Sequence, residues 1–303
     1  MSELGSLFPS NTSSLYVVAT PLGNLGDLTS RARAILGAAD IVAAEDTRHS
    51  QRLLDAFGIK AKLVAAHRHN EEEVAARIVG WLDEGRQVAL ISDAGTPAIS
   101  DPGARIVARV RQAGHAVVPV PGACAAIAAL SVAGFGEGGF RFAGFLPVKT
   151  AARQAMLSVW AKEHDMLVFY EAPHRVVDTL ADMAKVLGGE REVLIARELT
   201  KLHEDIAVMA LADAPSWFAA DAHRLRGEFV LVVRGAPVRA AHEDIGIEVE
   251  RVLDLLLAEL PLKSAVRLAA EITGAPKKAL YGRALARQSE AEEGEDKHFR
   301  NVK

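Results

Sequence analysis

Residues 86–103 read RQVALISDAGTPAISDPG, an apolar run that ends in two acidic turns rich in glycine and proline. Val88–Ile91 has the composition of a strand buried on both faces of a sheet. Ser92, Asp93, Ala94, Gly95, Thr96 and Pro97 leave that strand at its carboxyl end, where open α/β sheets bind ligands. Asp101-Pro102 reads as an N-cap followed by proline at the first helical position, opening the segment GARIVARVRQAG that stops at Gly114. So many turn-forming residues suit a ligand-binding loop, with a plain strand-to-helix turn as the alternative.

Working outward, the chain alternates. Strand-like runs fall at Leu15–Ala19, Ile41–Ala44, Val88–Ile91, Val117–Val120, Met166–Tyr170, Val193–Ala196 and Phe229–Val233. Helical patterns fill most gaps. Asn70 precedes EEEVAARIVGWLDEG, with Val74, Ile78 and Trp81 on one face and acids in the first turn. Thr150 precedes AARQAMLSVWAKEH, with an expected buried stripe of Ala152, Met156, Val159 and Trp160. VVDTLADMAKVLGG ends at its glycine pair. This pattern predicts an α/β protein of two layered lobes with mostly parallel sheets. The Pro-Gly break in VVPVPGACAAIAALSVAG marks the division. The expected plan is a disordered lead-in at 1–14, α/β domains at 15–120 and 121–237, a helical unit at 245–289 and a flexible tail at 290–303. Within the helical unit, Ser264–Ile272, a turn at Thr273-Gly274 and a helix opening at Pro276 resemble a helix-turn-helix. Its cations Lys263, Arg267, Lys277, Lys278, Arg283 and Arg287 face only Glu271 in the same stretch. They form either a solvated face or a contact for nucleic-acid phosphates.

Composition narrows the function. The 303 residues exceed one usual core, and 50% hydrophobic with 24% charged residues is ordinary for a globular protein. No apolar run reaches the roughly 20 residues needed to cross a bilayer. The first residues lack the basic and apolar regions of a secretion signal, so the expected compartment is the cytoplasm. A single cysteine, Cys124, excludes an internal disulfide and a cysteine-based metal cluster. A net charge of −4 means that any nucleic-acid contact must be local.

Several strand exits carry candidate chemistry. TPLGNLGDLT brings Pro21, Gly23 and Gly26 to a turn that a ligand could approach closely, yet it matches neither GxGxxG nor the Walker pattern. AAEDTRHS carries Glu45, Asp46, Arg48 and His49, as a solvated strand end or as a base or substrate anchor. Only one of the two acids can face a given cleft. His67 and His69, two apart, make a poor metal site without a third ligand, so none is expected. FYEAPHR and ARELTKLHE bring Tyr170, Glu171, His174, Arg175, Arg197, Glu198, Lys201, His203 and Glu204 to one sheet edge, where a structural ion-pair network is the alternative to a site. No GxSxG elbow appears, so hydrolase chemistry has no support.

The ordered set TPLGN, AEDTR, HRHNE, SDAGTPAISDPG, VPGACAAI, GFLP, YEAPHR, ARELTK and RGEFVL resembles the tetrapyrrole methylase family of class III S-adenosylmethionine-dependent methyltransferases. More closely, it resembles the branch that modifies small-subunit ribosomal RNA. The resemblance runs from about residue 15 to 236, and LPLKSAVRLAAEITGAPKKALY extends it. It implies methyl transfer from S-adenosylmethionine to the ribose 2′-hydroxyl of a cytidine in 16S rRNA, near the decoding centre. It also implies a cytoplasmic homodimer of bilobal subunits, acting on 16S rRNA or the 30S subunit with no membrane partner. By the same resemblance, the donor site takes Pro21, Gly23, Ile91, Ser92, Asp93, Thr96, Cys124, Ala125, Tyr170 and Leu199. Candidate catalytic groups are Glu45, Asp46, Glu198 and Lys201. Candidate RNA contacts are Arg48, Lys149, Arg175, Arg197, Lys277 and Lys278. Tetrapyrrole-modifying members usually carry a Gly-Pro-Gly-Asp turn where this chain has TPLGN, which sets a small-molecule methylase second. A non-catalytic nucleic-acid-binding protein is the remaining alternative.

Overall fold

In the computed structural model, residues 13–136, 138–237, 247–285 and 287 are described. The lead-in up to residue 12 and the tail from 288 onward lie outside them. The chain divides into two compact units, 1–236 and 237–303.

The first unit begins with β1 (Ser14–Val18), α1 (Ser30–Ala38), β2 (Ile41–Ala44), α2 (Thr47–Ala56) and β3 (Lys62–Ala65). It continues through α3 (Glu71–Asp83), β4 (Val88–Ile91), α4 (Ala104–Gln112) and β5 (Ala116–Val120). These five strands form a wholly parallel sheet in the order β3-β2-β4-β1-β5. Alternation along each strand feeds both faces. Tyr16, Val18, Val42 and Ile91 pack with Ile35 and Leu36 of α1 and Leu54 of α2. Leu15, Ala43, Val88 and Leu90 pack with Val74 and Ile78 of α3 and Ile106 of α4. Neighbouring strands β1 and β4 therefore send their helices to opposite faces, which opens a crevice at their carboxyl ends.

A second sheet follows from α5 (Ala125–Ser131), β6 (Phe140–Phe145), α6 (Thr150–Val159), β7 (Met166–Glu171) and α7 (Val176–Leu187). β8 (Glu192–Arg197), β9 (Asp205–Ala210), α8 (Ala214–Ala219) and β10 (Phe229–Val233) complete it. Its order is β6-β7-β10-β8-β9. Five of the eight strand pairings in the unit are parallel, and all three antiparallel ones lie in this sheet, around β10 and β9. The sequence pattern gave no sign of this, because β10 is buried on both faces as a parallel strand would be. Phe169, Ile195 and Leu231 face α6, α7 and α8, while Val168, Leu194 and Val232 face α5.

Two local expectations are corrected. Asp101 does not cap α4. Gly103 holds that position at φ +132, and its N–H donates to Glu71 Oε1 at 2.6 Å, a side chain reaching from the start of α3. The buried stripe of α6 is also shifted by one residue. Arg153 and Leu157 are buried there, whereas Ala152 and Val159 are exposed. The reason is a polar one: Arg153 Nε donates to Asp182 Oδ2 of α7 at 2.6 Å, and Gln154 donates to the other carboxylate oxygen at 2.6 Å.

The second unit holds α9 (Ile247–Glu259), α10 (Leu262–Thr273) and a helix at 277–285. Gly274 turns the chain in the left-handed region at φ +71. Leu253, Val266, Ala269 and Leu280 form its core.

The Arg153–Asp182 pair generates the first prediction. Asp182→Ala strands a guanidinium that is 4% exposed, and should cost about 3–5 kcal/mol in urea unfolding. Arg153→Met combined with Asp182→Leu should recover most of that loss.

Candidate active site

The crevice at the strand ends is a cavity of about 480 Å³ between the two sheets of the first unit. Its near wall is the 92–103 loop, stitched down at several points. Thr20 and Gly95 exchange two backbone hydrogen bonds, Thr20 N to Gly95 O at 2.9 Å and Gly95 N to Thr20 O at 3.0 Å. Gly95 sits at φ +77, and a Cβ there would lie 3.3 Å from the Leu22 side chain. Thr96 Oγ1 donates to the Ala123 carbonyl at 3.0 Å, tying the loop to the start of α5. Among the described residues, the only non-glycine positive φ angles are those of Ala98, Ser100, Glu198 and Thr200. They fall in two loops, 98–100 and 198–200, that border the cavity from opposite sheets. Strained backbone of this kind persists where the surroundings hold it.

The far wall is aromatic and aliphatic. Tyr170 accepts the Ala126 N–H at 3.2 Å and meets Phe142 and Phe145 edge-on. Burial holds its phenol protonated. Cys124, Ala125 and Leu199 add apolar surface there, and Leu22 and Ile99 add more from the near side.

Glu171 and Glu228 line the cavity from the second-sheet side, and three more carboxylates gather on the first-sheet side. Asp93 Oδ1 accepts the Asp46 N–H at 3.0 Å, joining the ends of β4 and β2. Glu45, Asp93 and Asp101 all line the cavity. Burial, then Asp101 and Asp93, hold Glu45 above its ordinary value against the pull of Arg68. Burial, reinforced by Asp93 and opposed by a Ser92 hydrogen bond, pushes Asp101 up to about 6.

Of the sequence-selected donor-site residues, Asp93, Thr96, Cys124, Ala125, Tyr170 and Leu199 line the cavity. Ile91 and Ser92 stand behind it, with Ser92 Oγ donating to Ala94 O at 3.2 Å and shaping the loop. Pro21 is buried and Gly23 exposed beside them, with the Lys201 stem lying against Gly23. The catalytic candidates separate. Glu45 and Lys201 line the cavity, whereas Asp46 caps α2 through the Arg48 and His49 N–H groups, which hold it below the ordinary range. Glu198 accepts Lys201 Nζ and the Glu228 N–H at 2.8 and 3.0 Å. Burial pushes Glu198 up, but these donors outweigh it and hold the carboxylate low. Burial lowers Lys201, and Glu198 with Glu228 more than reverses that, so it stays protonated. A locked ammonium and a low carboxylate are poor bases.

The arginines need correction too. Arg197 donates to Arg226 O and His203 O at 2.7 and 3.0 Å, and Arg175 to Leu146 O at 2.6 Å while pairing with Glu171 at 3.2 Å. Both are committed to the fold rather than presented to phosphates. Arg48 and Lys149 are exposed, as are Lys277 and Lys278. His67 and His69 touch edge-on at the turn after β3, and no group of three or more ligands suited to a metal occurs among the described residues. Asp101 is the site residue that sequence reading missed, since the Asp-Pro pair reads equally well as a helix cap.

A two-sheet unit whose strand ends enclose an acidic, aromatic-walled crevice is the arrangement of a class III methylase. Residues 14–215 match the Tetrapyrrole (Corrin/Porphyrin) Methylases, and residues 243–288 match the RsmI C-terminal HTH domain. The chain belongs to the tetrapyrrole methylase family, as its motifs suggested. It is 53% identical to "Ribosomal RNA small subunit methyltransferase I" of Pseudomonas aeruginosa, over 91% of this chain and 98% of that one. It is 49% identical to the protein of the same name from Escherichia coli O157:H7, over 90% and 95%. Its fold is similar to that of the methyltransferase CobJ, with a TM-score of 0.57 and 20% identity over 78% of this chain and 98% of that one. It is also similar to a Thermus thermophilus uroporphyrin-III C-methyltransferase solved with S-adenosylhomocysteine, with a TM-score of 0.53 and 20% identity over 73% and 97%.

A pH prediction follows from Asp101. Its folded pKa of about 6 lies above the ordinary 3.8, so the stability it contributes is present at low pH and lost as pH rises through 6. Asp101→Asn should therefore raise the melting temperature at pH 7.5 and do so markedly less at pH 4.5, read by scanning calorimetry.

Proposed function

We propose that the chain transfers the methyl group of S-adenosylmethionine to the 2′-hydroxyl of a cytidine ribose in 16S rRNA, near the decoding centre. The observation that carries this reading is the crevice where Glu45, Asp93 and Asp101 converge beside the aromatic and aliphatic surface of Phe145, Tyr170 and Leu199. It sits in a chain about half identical, along nearly its whole length, to proteins named for small-subunit rRNA methylation. The cavity fits the donor by chemistry and by size. A volume of about 480 Å³ suits a nucleoside-sized ligand. The acids complement a sulfonium cation. Asp93, Thr96, Tyr170 and Leu199 would hold the donor, which supplies an already activated methyl carbon.

What remains for the protein is alignment and proton removal. The stitched 92–103 loop and the 198–200 loop fix two walls, so the incoming hydroxyl meets a preformed site instead of an ordering cost. Glu45 takes the hydroxyl proton. It lines the cavity, is partly buried, and is held above its ordinary value, which makes its ionised form a better base. Lys201, kept charged by Glu198 and Glu228, anchors the opposite side. The enzyme would work in the cytoplasm on naked 16S rRNA or on the 30S subunit. The exposed Ile206 and Val208 on edge strand β9 are compatible with a homodimer.

A labelled-donor assay with 30S subunits, free 16S rRNA and a tetrapyrrole in parallel should give incorporation only with the RNA substrates. Label in the tetrapyrrole alone would overturn the assignment. Asp93→Ala should abolish S-adenosylmethionine binding by calorimetry. Glu45→Gln should keep that binding and slow single-turnover transfer about 100-fold or more.

A further inference from the structure

The six cations between residues 263 and 287 do not act alike. Arg283 pairs with Glu250 at 3.1 Å and Arg287 with Asp254 at 2.9 Å, so α9 neutralises one side of the unit. Lys263, Arg267, Lys277 and Lys278 stand on another side, where they and Val266 surround Tyr281 in a shallow concavity. Of these four, Arg267 alone forms an ion pair among the described residues, with Glu271 at 3.2 Å. The spacing explains the convergence. Lys277 and Lys278 lie four and three residues before Tyr281 and so share its helix face, while Lys263 and Arg267 are one turn apart on α10. Tyr281 is 40% exposed, a large ring left at the surface inside a ring of positive charge.

We propose that this face captures an unpaired nucleotide of the RNA substrate, its base stacked on the Tyr281 ring and its flanking phosphates on Lys263, Arg267, Lys277 and Lys278. An unpaired base is favoured over a duplex because the deep, narrow major groove of A-form RNA shuts out side chains, whereas a splayed base stacks readily on an aromatic ring. Cations around an aromatic platform are the chemistry of single-strand binding. The proposal rests on the RNA-methyltransferase reading and deepens it by giving the second unit a ligand class.

The test uses the full chain and fluorescence anisotropy with a labelled single-stranded oligoribonucleotide and an RNA duplex of equal length. Tyr281→Ala should weaken single-strand binding about 5- to 150-fold, with little effect on the duplex. Tyr281→Phe should bind within about twofold of the parent. Lys277→Gln with Lys278→Gln should flatten the slope of log affinity against log salt by about 1.4. S-adenosylmethionine affinity should be unchanged in all three. Unaltered single-strand binding by Tyr281→Ala, equal loss on the duplex, or equal loss with Tyr281→Phe overturns the stacking site. Tyr281-dependent binding by a parent protein that methylates no rRNA would instead sink the enzymatic reading and leave this face standing.

Discussion

The two-way backbone bridge between Thr20 and Gly95 is the constraint on which the site depends. Parallel neighbours β1 and β4 send their following helices to opposite faces, so the loops that leave them must diverge. Divergent loops are free to wander unless something fastens them. The bridge does so at the point of divergence, and the Thr96–Ala123 bond extends the fastening to the start of α5 beneath the second sheet. A residue with a Cβ in place of Gly95 would have to hold φ +77 and would press on Leu22. The left-handed Ala98 and Ser100 and the Glu71 contact to Gly103 then become intelligible. A loop pinned at 95 and again at 103 must take up its slack in between.

Pinning has an electrostatic consequence. It holds Glu45, Asp93 and Asp101 together along one side of a partly buried cavity, so burial and mutual repulsion act on the same groups. Such a site is uncomfortable when empty and welcomes a cation. On the opposite side the sign problem is solved differently. Lys201 is clasped by Glu198 and Glu228 and offers a fixed, largely compensated charge.

How much of this could be read from the sequence follows from the range of the interactions. Strands buried on both faces announce themselves as apolar runs, so β1, β2, β4, β7, β8 and β10 were legible. β5 was legible too, from Val117–Val120, although it is an edge strand; the other edge strands β3, β6 and β9 were not, and Lys62 and Arg141 break the runs of the first two. Pro-Gly at 121–122 marked the real break between β5 and α5, and Gly274 a real turn, because glycine and proline act locally. The fate of each arginine was illegible for the opposite reason. Arg197 binds carbonyls up to 29 residues away, and Arg153 finds a carboxylate 29 residues away. Asp101 failed for a third reason: one dipeptide fits two structural roles, and only the Glu71 contact from α3 decides between them.

Under the proposed function, the charge pattern would reconcile a cationic donor with a polyanionic acceptor. A cleft lined with carboxylates repels phosphates within a screening length of about 8–10 Å, so it is suited to admit a neutral ribose hydroxyl and little else of an RNA chain. Affinity for the backbone must then come from cations outside the cleft, and with a net charge of −4 these must be concentrated. The second unit meets that need by subtraction. Glu250 and Asp254 pair with Arg283 and Arg287, while Lys263, Lys277 and Lys278 around Tyr281 form no ion pair among the described residues. A uniformly basic unit would bind any polyanion over any of its surfaces, whereas a single uncancelled face also fixes orientation. In the proposed reaction, separating attraction from chemistry in this way would let the acids tune the proton acceptor without weakening the hold on the substrate.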